Sequence, residues 1–215
     1  VRTVDHIETL TDFTTDRRKI AFAIDNANGS GDTNLYKALK SSLDALAKET
    51  GRRKAVIVLT DGIDTDLSRA DRSAASNAQD GAQALAAIKP DTNPTLAAVL
   101  NDADRQGVTI YPLALPSGDL RRLAEPSPQQ TAIYTSARTR LDTLAARTGG
   151  RLHEINRLED MGRLYAEVAA EMRTLYSIVY QSTGSQKRSG QWRAIQIQVA
   201  RPELIARTRP GYYAR

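Results

Sequence analysis

Two oxygen-bearing side chains, Thr33 and Asp61, have the types and positions that could hold a hard divalent cation. Asp61 directly follows an apolar run of strand length, and Thr33 directly precedes a stretch with leucines at helical spacing. In a parallel sheet, the carboxyl end of that strand and the start of that helix lie at the edge where ligands bind. Mg²⁺ takes oxygen ligands in an octahedron and keeps several waters. A hydroxyl and a carboxylate meeting at this edge would therefore suit Mg²⁺.

A structural interpretation of the same two residues stays open. Thr33 has the position of an N-cap for the helix that follows it. Asp61 has the position of a side chain that caps the turn after a strand. These two residue types alone do not separate capping from cation binding.

The elements that must position Thr33 and Asp61 alternate between helix and strand over residues 1–175. Continuous apolar runs predict strands over 55–60 and 108–115, each buried on both faces of a parallel sheet. Short strands are expected over 1–10 and 152–155, and helices over 34–49, 82–88, 96–106, 138–147 and 158–175. A further helix is expected through Ile24, with its N-cap in the segment 11–16. The rest of 64–95 resembles an irregular insertion. The pattern predicts a doubly wound α/β fold with a mostly parallel sheet.

Residues 176–215 have a different pattern and form a second predicted unit. Strand-like runs occur over 176–181, 192–199 and 204–208, separated by a Gly/Ser-rich turn and by Arg201-Pro202. Polar and apolar residues alternate over 196–199, as on an antiparallel ribbon with one solvated face. A C-terminal antiparallel β appendage is therefore expected after the α/β body.

Several segments resemble the von Willebrand factor A family. Gly-Asp-Thr-Asn-Leu-Tyr-Lys-Ala-Leu over 31–39 and Val-Leu-Thr-Asp-Gly over 58–62 are similar to two of the three pieces of the family's metal-ion-dependent adhesion site. Gly-Val-Thr-Ile-Tyr-Pro-Leu over 107–113 is similar to the strand that follows them, and the tail resembles a related family first catalogued in acidobacteria. The resemblance implies that Thr33 and Asp61 are metal ligands. Asp32 and Asp64 are candidates for positions just outside these ligands, and the alternative for Asp64 is a position in solvent.

The third piece of that site, an Asp-x-Ser-x-Ser segment on the first central strand, does not occur in the sequence. We expect an N-terminally truncated chain that lacks this strand; the alternative is a divergent domain that binds no metal. The chain alone should then bind Mg²⁺, Mn²⁺ or Ca²⁺ weakly or not at all. The edge of the 55–60 strand should also be open to pairing with another chain.

Composition and motifs disfavour other classes of function. The net charge of +5 is carried by short, scattered basic clusters without interleaved aromatics, so no nucleic-acid partner is expected. The chain has no cysteine and no apolar run of about 18 residues, so neither a thiolate site nor a membrane span is predicted. Its two histidines, His6 and His153, lie far apart and no Gly-x-Ser-x-Gly occurs, which disfavours catalysis. Asp61, Asp64 and Asp66 imitate a calcium loop, but its sixth-position Gly and twelfth-position Glu are absent.

The sequence thus predicts a non-enzymatic protein-binding module whose cation, in the full-length protein, leaves one coordination position for an acidic residue of a partner. The alternative is a metal-independent structural or assembly protein of the bacterial envelope. By resemblance, the protein is expected outside the cytoplasm, secreted or periplasmic.

Overall fold

The computed structural model describes residues 2–3, 7–27, 31–51, 53–115, 126–176, 178 and 190–213. Its strands are β1 (Arg2–Thr3), β2 (Ile7–Glu8), β3 (Lys54–Thr60), β4 (Val108–Ala114), β5 (His153–Glu154), β6 (Trp192–Ala194) and β7 (Gly211–Tyr213). Its α-helices are α1 (Arg17–Asp25), α2 (Leu35–Ala47), α3 (Thr65–Ala74), α4 (Gly81–Ile88), α5 (Pro94–Gln106), α6 (Pro128–Thr148) and α7 (Met161–Arg173).

The body is built on a three-stranded parallel sheet in the order β3-β4-β5. β3 and β4 pair along their full length, from Lys54 beside Val108 to Thr60 beside Ala114. β5 pairs only with the end of β4, where His153 lies beside Leu113. The parallel pairing follows from the helices between the strands, which return the chain to the same end of the sheet each time.

Helices cover both faces of this sheet. Ile110 and its neighbours on one face of β4 pack in an apolar cluster with α2, α5 and α6. Tyr111 and Leu113 on the other face pack with Ile155 and with Leu164 of α7. The predicted doubly wound α/β architecture is confirmed. The helix predicted over 158–175 is present as α7, which buries Leu164 and Val168.

The structure corrects part of the expectation for residues 64–95. The helix predicted over 82–88 is confirmed as α4, but the stretch before it is not irregular, because α3 occupies Thr65–Ala74. Asp64 and Asp80 cap these two helices by accepting from the amides of Leu67 and Gln83. An aspartate at the N-cap satisfies an amide that the helix itself leaves unpaired. The cap signals were present in the sequence, but the polar composition of the segment concealed them.

The start of α6 was also predicted wrongly, ten residues too late. Ser127 and Gln130 form a capping box, with each side chain accepting from the other residue's backbone amide, and Pro128 occupies the first helical position. Both features favour a helix start. α6 therefore begins at Pro128 rather than near residue 138.

β3 differs from its prediction as a strand buried on both faces. Val56 and Val58 pack against the core cluster, but the side chains of Ile57 and Leu59 are 38% and 41% exposed. A strand is buried on both faces only where helices cover both, and the described residues cover this part of β3 only partly.

The C-terminal ribbon is an antiparallel pair of β6 and β7, as predicted in kind but not in extent. The strand expected over 192–199 ends at Ala194. The strand expected over 204–208 does not form, and the second strand of the ribbon is β7 at Gly211–Tyr213. The strand expected over 176–181 lies mostly outside the described residues. Trp192 packs edge-on against Tyr213 and lies under the guanidinium of Arg147, which joins the ribbon to the end of α6.

Among the described helices, none has the length and apolar character needed to cross a membrane.

Candidate functional site at the carboxyl edge of the sheet

Asp61 lies in a tight turn at the carboxyl end of β3. Its Oδ1 accepts from the amide of Ile63 at 3.0 Å, and the hydroxyl of Thr60 accepts from the amide of Gly62 at 3.0 Å. Gly62 has φ of 89°, and a β-carbon there would press on the side chain of Leu141. Only glycine fits this backbone and this space easily. The capping interpretation of Asp61 is confirmed, and one of its two oxygens is used in that way.

Thr33 is joined to the same edge through Thr65, the first residue of α3. The amide of Thr33 donates to the hydroxyl of Thr65 at 2.9 Å, and the amide of Thr65 donates to the carbonyl of Thr33 at 2.9 Å. Thr65 follows Asp61 by only four residues. The structure therefore brings the Thr33 segment and the Asp61 segment together, and these two bonds leave the hydroxyl of Thr33 unused.

The prediction that Thr33 is the N-cap of α2 is wrong by one residue. The N-cap is Asn34, whose side chain makes no capping hydrogen bond. The amide of Tyr36 in the first turn of α2 instead donates to Oδ2 of Asp64 at 3.3 Å. The carboxylate of Asp64, which is distant in the sequence, thus caps α2 in place of Thr33.

Asp64 holds two helix N-termini at once. Its Oδ2 accepts from Tyr36 in α2, and its Oδ1 accepts from Leu67 in α3 at 3.1 Å. The side chain is buried, and the positive ends of both helix dipoles compensate its charge. Sequence reasoning placed Asp64 either beside the metal ligands or in solvent. It is not in solvent, and its part in a metal site stays a prediction.

Asp32 is exposed and lies in a small network of surface charges. It pairs with Arg69 at 3.0 Å, and Arg69 and Lys37 both pair with Asp66, at 3.3 Å and 3.1 Å. Exposed pairs of this kind are worth about 0–1 kcal/mol each. Two cationic side chains therefore stand beside the carboxylates of this edge.

The described residues fit a cation only in part. Within the described ranges, no group of three or more His, Cys, Asp or Glu side chains is arranged to hold a metal ion. Thr33 and the second oxygen of Asp61 offer two ligands, whereas an octahedral site needs six, several of which water can supply. Two protein ligands give little affinity and little selectivity between Mg²⁺, Mn²⁺ and Ca²⁺.

A buried ion pair that sequence reasoning missed anchors α3 against α6. Arg140 of α6 donates to both oxygens of Asp71 at 2.6 Å and 2.7 Å, and both side chains are almost fully buried. The hydroxyl of Tyr36 is also buried and has no hydrogen-bond partner among the described residues. Burial raises the pKa of Tyr36 far above its usual value of 10.0, and the charge of Arg140 opposes that shift. The ion pair between Arg140 and Asp71 holds α3 against α6. Because α3 also carries Thr65, this ion pair supports the hydrogen bonds between Thr65 and Thr33.

His153 belongs to β5 and not to the Thr33 and Asp61 segments. His153 is buried in β5 and its Nε2 has no hydrogen-bond partner among the described residues, while His6 lies outside them. Burial and the neighbouring Arg151 lower the pKa of His153 below its usual 6.5.

Residues 1–63 match the sequence model of the von Willebrand factor type A domain. This stretch contains both Thr33 and Asp61 and ends just after the turn at Gly62. No curated protein and no solved structure matches the chain. Residues 1–63 are thus similar to this domain, and the α/β architecture agrees with its fold. Domains of this type are generally interaction or adhesion modules with protein partners. They are typically without enzymatic activity. The wider boundaries, 1–175 and 176–215, stay predictions.

Proposed function

We propose that this chain is a non-enzymatic protein-binding module whose binding edge is the carboxyl edge of the sheet, around Thr33 and Asp61. The reciprocal hydrogen bonds between Thr33 and Thr65 carry the proposal, because they bring two oxygen-bearing segments 28 residues apart in the sequence to one edge. The match to von Willebrand factor type A sequence over residues 1–63 supports the same edge.

Binding at this edge depends on a divalent cation in the full-length protein. Thr33 and Asp61 would be two of its ligands, Asp32 and Asp64 would hold the loops around them, and an acidic residue of the partner would take an open position. Mg²⁺ is the first candidate, with Mn²⁺ and Ca²⁺ as alternatives, because all three take oxygen ligands. Thr33 and Asp61 supply only two oxygens, so the other positions of an octahedron are left to water or to further oxygen ligands, and these two residues by themselves would hold the cation weakly.

Mn²⁺ binding, followed by the loss of the free-ion electron paramagnetic resonance signal, tests the cation site. We expect little binding by the 215-residue chain and tighter binding by the longest natural chain that contains these residues. Asp61→Ala in that longer chain should weaken binding by about tenfold or more, because it removes a direct ligand. Asp66→Ala is the matched control, since Asp66 is a nearby exposed carboxylate that already pairs with Lys37 and Arg69. Equal affinities for the two variants would refute the role of Asp61.

The second candidate is a structural or assembly role in the bacterial envelope that needs no cation. The cationic side chains of Arg69 and Lys37 favour it, because they already neutralise Asp32 and Asp66 at this edge. Partner capture from the native envelope, with and without EDTA, separates the two candidates. Loss of the captured protein in EDTA supports cation-dependent binding, and capture unchanged in EDTA supports assembly without metal. Both proposals place the protein outside the cytoplasm.

A further inference from the structure

A buried histidine lies between the sheet and α7. His153 of β5 is the register partner of Leu113 in β4, so the two side chains lie on the same face of the sheet. α7 covers that face, since Leu113 packs with Leu164 and Val168. The side chain of His153 is buried, and its Nε2 has no hydrogen-bond partner among the described residues. A neutral imidazole tolerates this position, whereas a charged one is costly there.

The phenol of Tyr111 shares this buried face. Tyr111 precedes Leu113 by two residues in β4, so both side chains face α7. The hydroxyl of Tyr111 is buried and also has no hydrogen-bond partner in the described part of the chain. Burial raises the pKa of Tyr111, Glu171 raises it further, and Arg207 lowers it. The interface between the sheet and α7 thus contains two buried polar side chains with unused hydrogen-bonding atoms.

An ion pair joins the C-terminal segment, residues 190–213, to α7. Arg207 donates to Oε1 of Glu171 at 3.3 Å, and the two side chains are 47% and 27% exposed. The same segment passes the end of α6, where a β-carbon on Gly149 would lie 3.2 Å from the backbone nitrogen of Arg209. Partly exposed ion pairs are weak. The contact at Arg207 can therefore open locally while the rest of the fold stays intact.

The charges that act on His153 come from its own strand, from α7 and from the C-terminal segment. Burial lowers the pKa of His153 below its usual 6.5, and Arg151, just before β5, lowers it further. Glu171 and Glu167 of α7 raise this pKa, and Arg207 lowers it. His153 is therefore mostly neutral near pH 7, where Glu171 pairs with Arg207. A protonated His153 would attract Glu171 and repel Arg207.

We propose that His153 is an acid-sensitive latch: its protonation draws Glu171 away from Arg207 and releases the C-terminal segment around Arg207 from α7. Release admits water to the imidazolium and gives it a carboxylate partner, so the released state binds one proton more than the docked state. Acid therefore favours release, because a fall in pH favours the state that binds more protons. The docked state is complete above pH 6.5. Histidine is the side chain whose ordinary titration range suits such a switch.

The latch is independent of the proposed cation site. It is formed by β5, α7 and the C-terminal segment, and neither Thr33 nor Asp61 takes part in it. Every measurement is therefore made in EDTA, and failure of the latch would leave the cation site unaffected.

A spin label at position 205 tests the latch, because Ile205 is 96% exposed and the chain has no cysteine of its own. Electron paramagnetic resonance then measures the mobility of the label on Ile205→Cys. We expect a restrained label at pH 7.5 and a mobile one at pH 5, with a midpoint below pH 6.5. Adding His153→Gln should keep the label restrained at both pH values, because glutamine does not titrate.

The ion pair is tested in the same labelled chain. Arg207→Gln should give a mobile label at both pH values, because it removes the partner of Glu171. Arg201→Gln is the matched control, since it removes an exposed arginine of the same segment, and it should keep the full pH response. His6→Gln should leave the midpoint unchanged.

Several outcomes would overturn the latch. Label mobility that is equal at pH 7.5 and 5 is one, and an unchanged midpoint in the His153→Gln variant, which assigns the response to another group, is a second. A label that stays restrained at pH 7.5 in the Arg207→Gln variant would remove the ion pair from the latch. The circular dichroism spectrum of an unfolded chain at pH 5 would also contradict it, because acid then opens the whole fold and not the segment alone.

Discussion

Three residues in one row across the sheet have very different surroundings. Leu59 of β3, Leu113 of β4 and His153 of β5 are register partners, yet Leu59 is 41% exposed, Leu113 fully buried and His153 6% exposed. Leu59 and Leu113 are the same residue type at the same depth of equal-length strands. The difference arises from their neighbours, because β4 has a strand on each side and packs against α7, whereas β3 has a strand on one side only among the described residues. Apolar sequence thus predicts a strand, but not how much of it is covered.

Replacing the two leucines separately gives the largest expected effect. Leu113→Ala should lower the free energy of unfolding by about 2–5 kcal/mol, because it removes buried methyl groups and leaves a cavity. Leu59→Ala should cost about 1 kcal/mol or less, since part of the side chain is already in water. Urea unfolding followed by circular dichroism measures both. Equal losses would mean that Leu59 is as well covered as its partner, and would break the comparison.

The backbone of β4 is covered as closely as its side chains, and Gly150 tests this. A β-carbon at Gly150 would collide with the carbonyl oxygen of Ile110, so Gly150→Ala should cost about 1–3 kcal/mol. Gly162→Ala in α7 is the control, because a β-carbon there meets nothing and alanine favours helix. The control should be neutral or slightly stabilising. A neutral Gly150→Ala would mean that the chain at Gly150 packs less tightly on β4.

The smallest effect is the pH dependence from His153. Because its pKa is lowered in the folded state, the unfolded chain binds more protons below the usual value of 6.5. The stabilisation from neutral His153 is therefore complete above pH 6.5 and is lost as the pH falls toward the folded pKa. For one proton the slope cannot exceed about 1.4 kcal/mol per pH unit.

Thermal unfolding of the unmodified chain and of His153→Gln between pH 7.5 and 5 measures that slope. The variant should show a flatter pH dependence, and His6 is present in both proteins, so its titration cancels. An identical slope in the two proteins would mean that His153 is as accessible to protons as in the unfolded chain.

Much of the fold could be predicted because the deciding signals are local. The leucine spacing of α2, the glycine that ends α5 at Gly107 and the apolar run of β4 each act within a few residues. The signal for the start of α6 is local too, since Ser127 and Gln130 form a capping box. Apolar periodicity alone does not reveal this start. The strands of the tail were misplaced because alternation over 196–199 does not guarantee a partner.

The site could be predicted only in part. Thr33 and Asp61 were expected at one edge from the order of strand and helix, and the structure brings their segments together through Thr65. The role of Asp64 as a cap for two helices was not predictable, because one of its donors lies 28 residues away. A contact of that range depends on where the helices pack, and no local spacing encodes it.

The sequence by itself determined the alternation of helix and strand, most helix ends, and the presence of a hydroxyl and a carboxylate suited to a cation. These follow from backbone preferences and capping within one or two turns. Only the tertiary structure decided which apolar residues are covered, that Asp71 and Arg140 meet in the core, and that Ile57 and Leu59 remain exposed. Burial and charge pairing depend on neighbours distant in the chain, so one apolar run became the buried strand β4, whereas another, β3, has exposed side chains at Ile57 and Leu59.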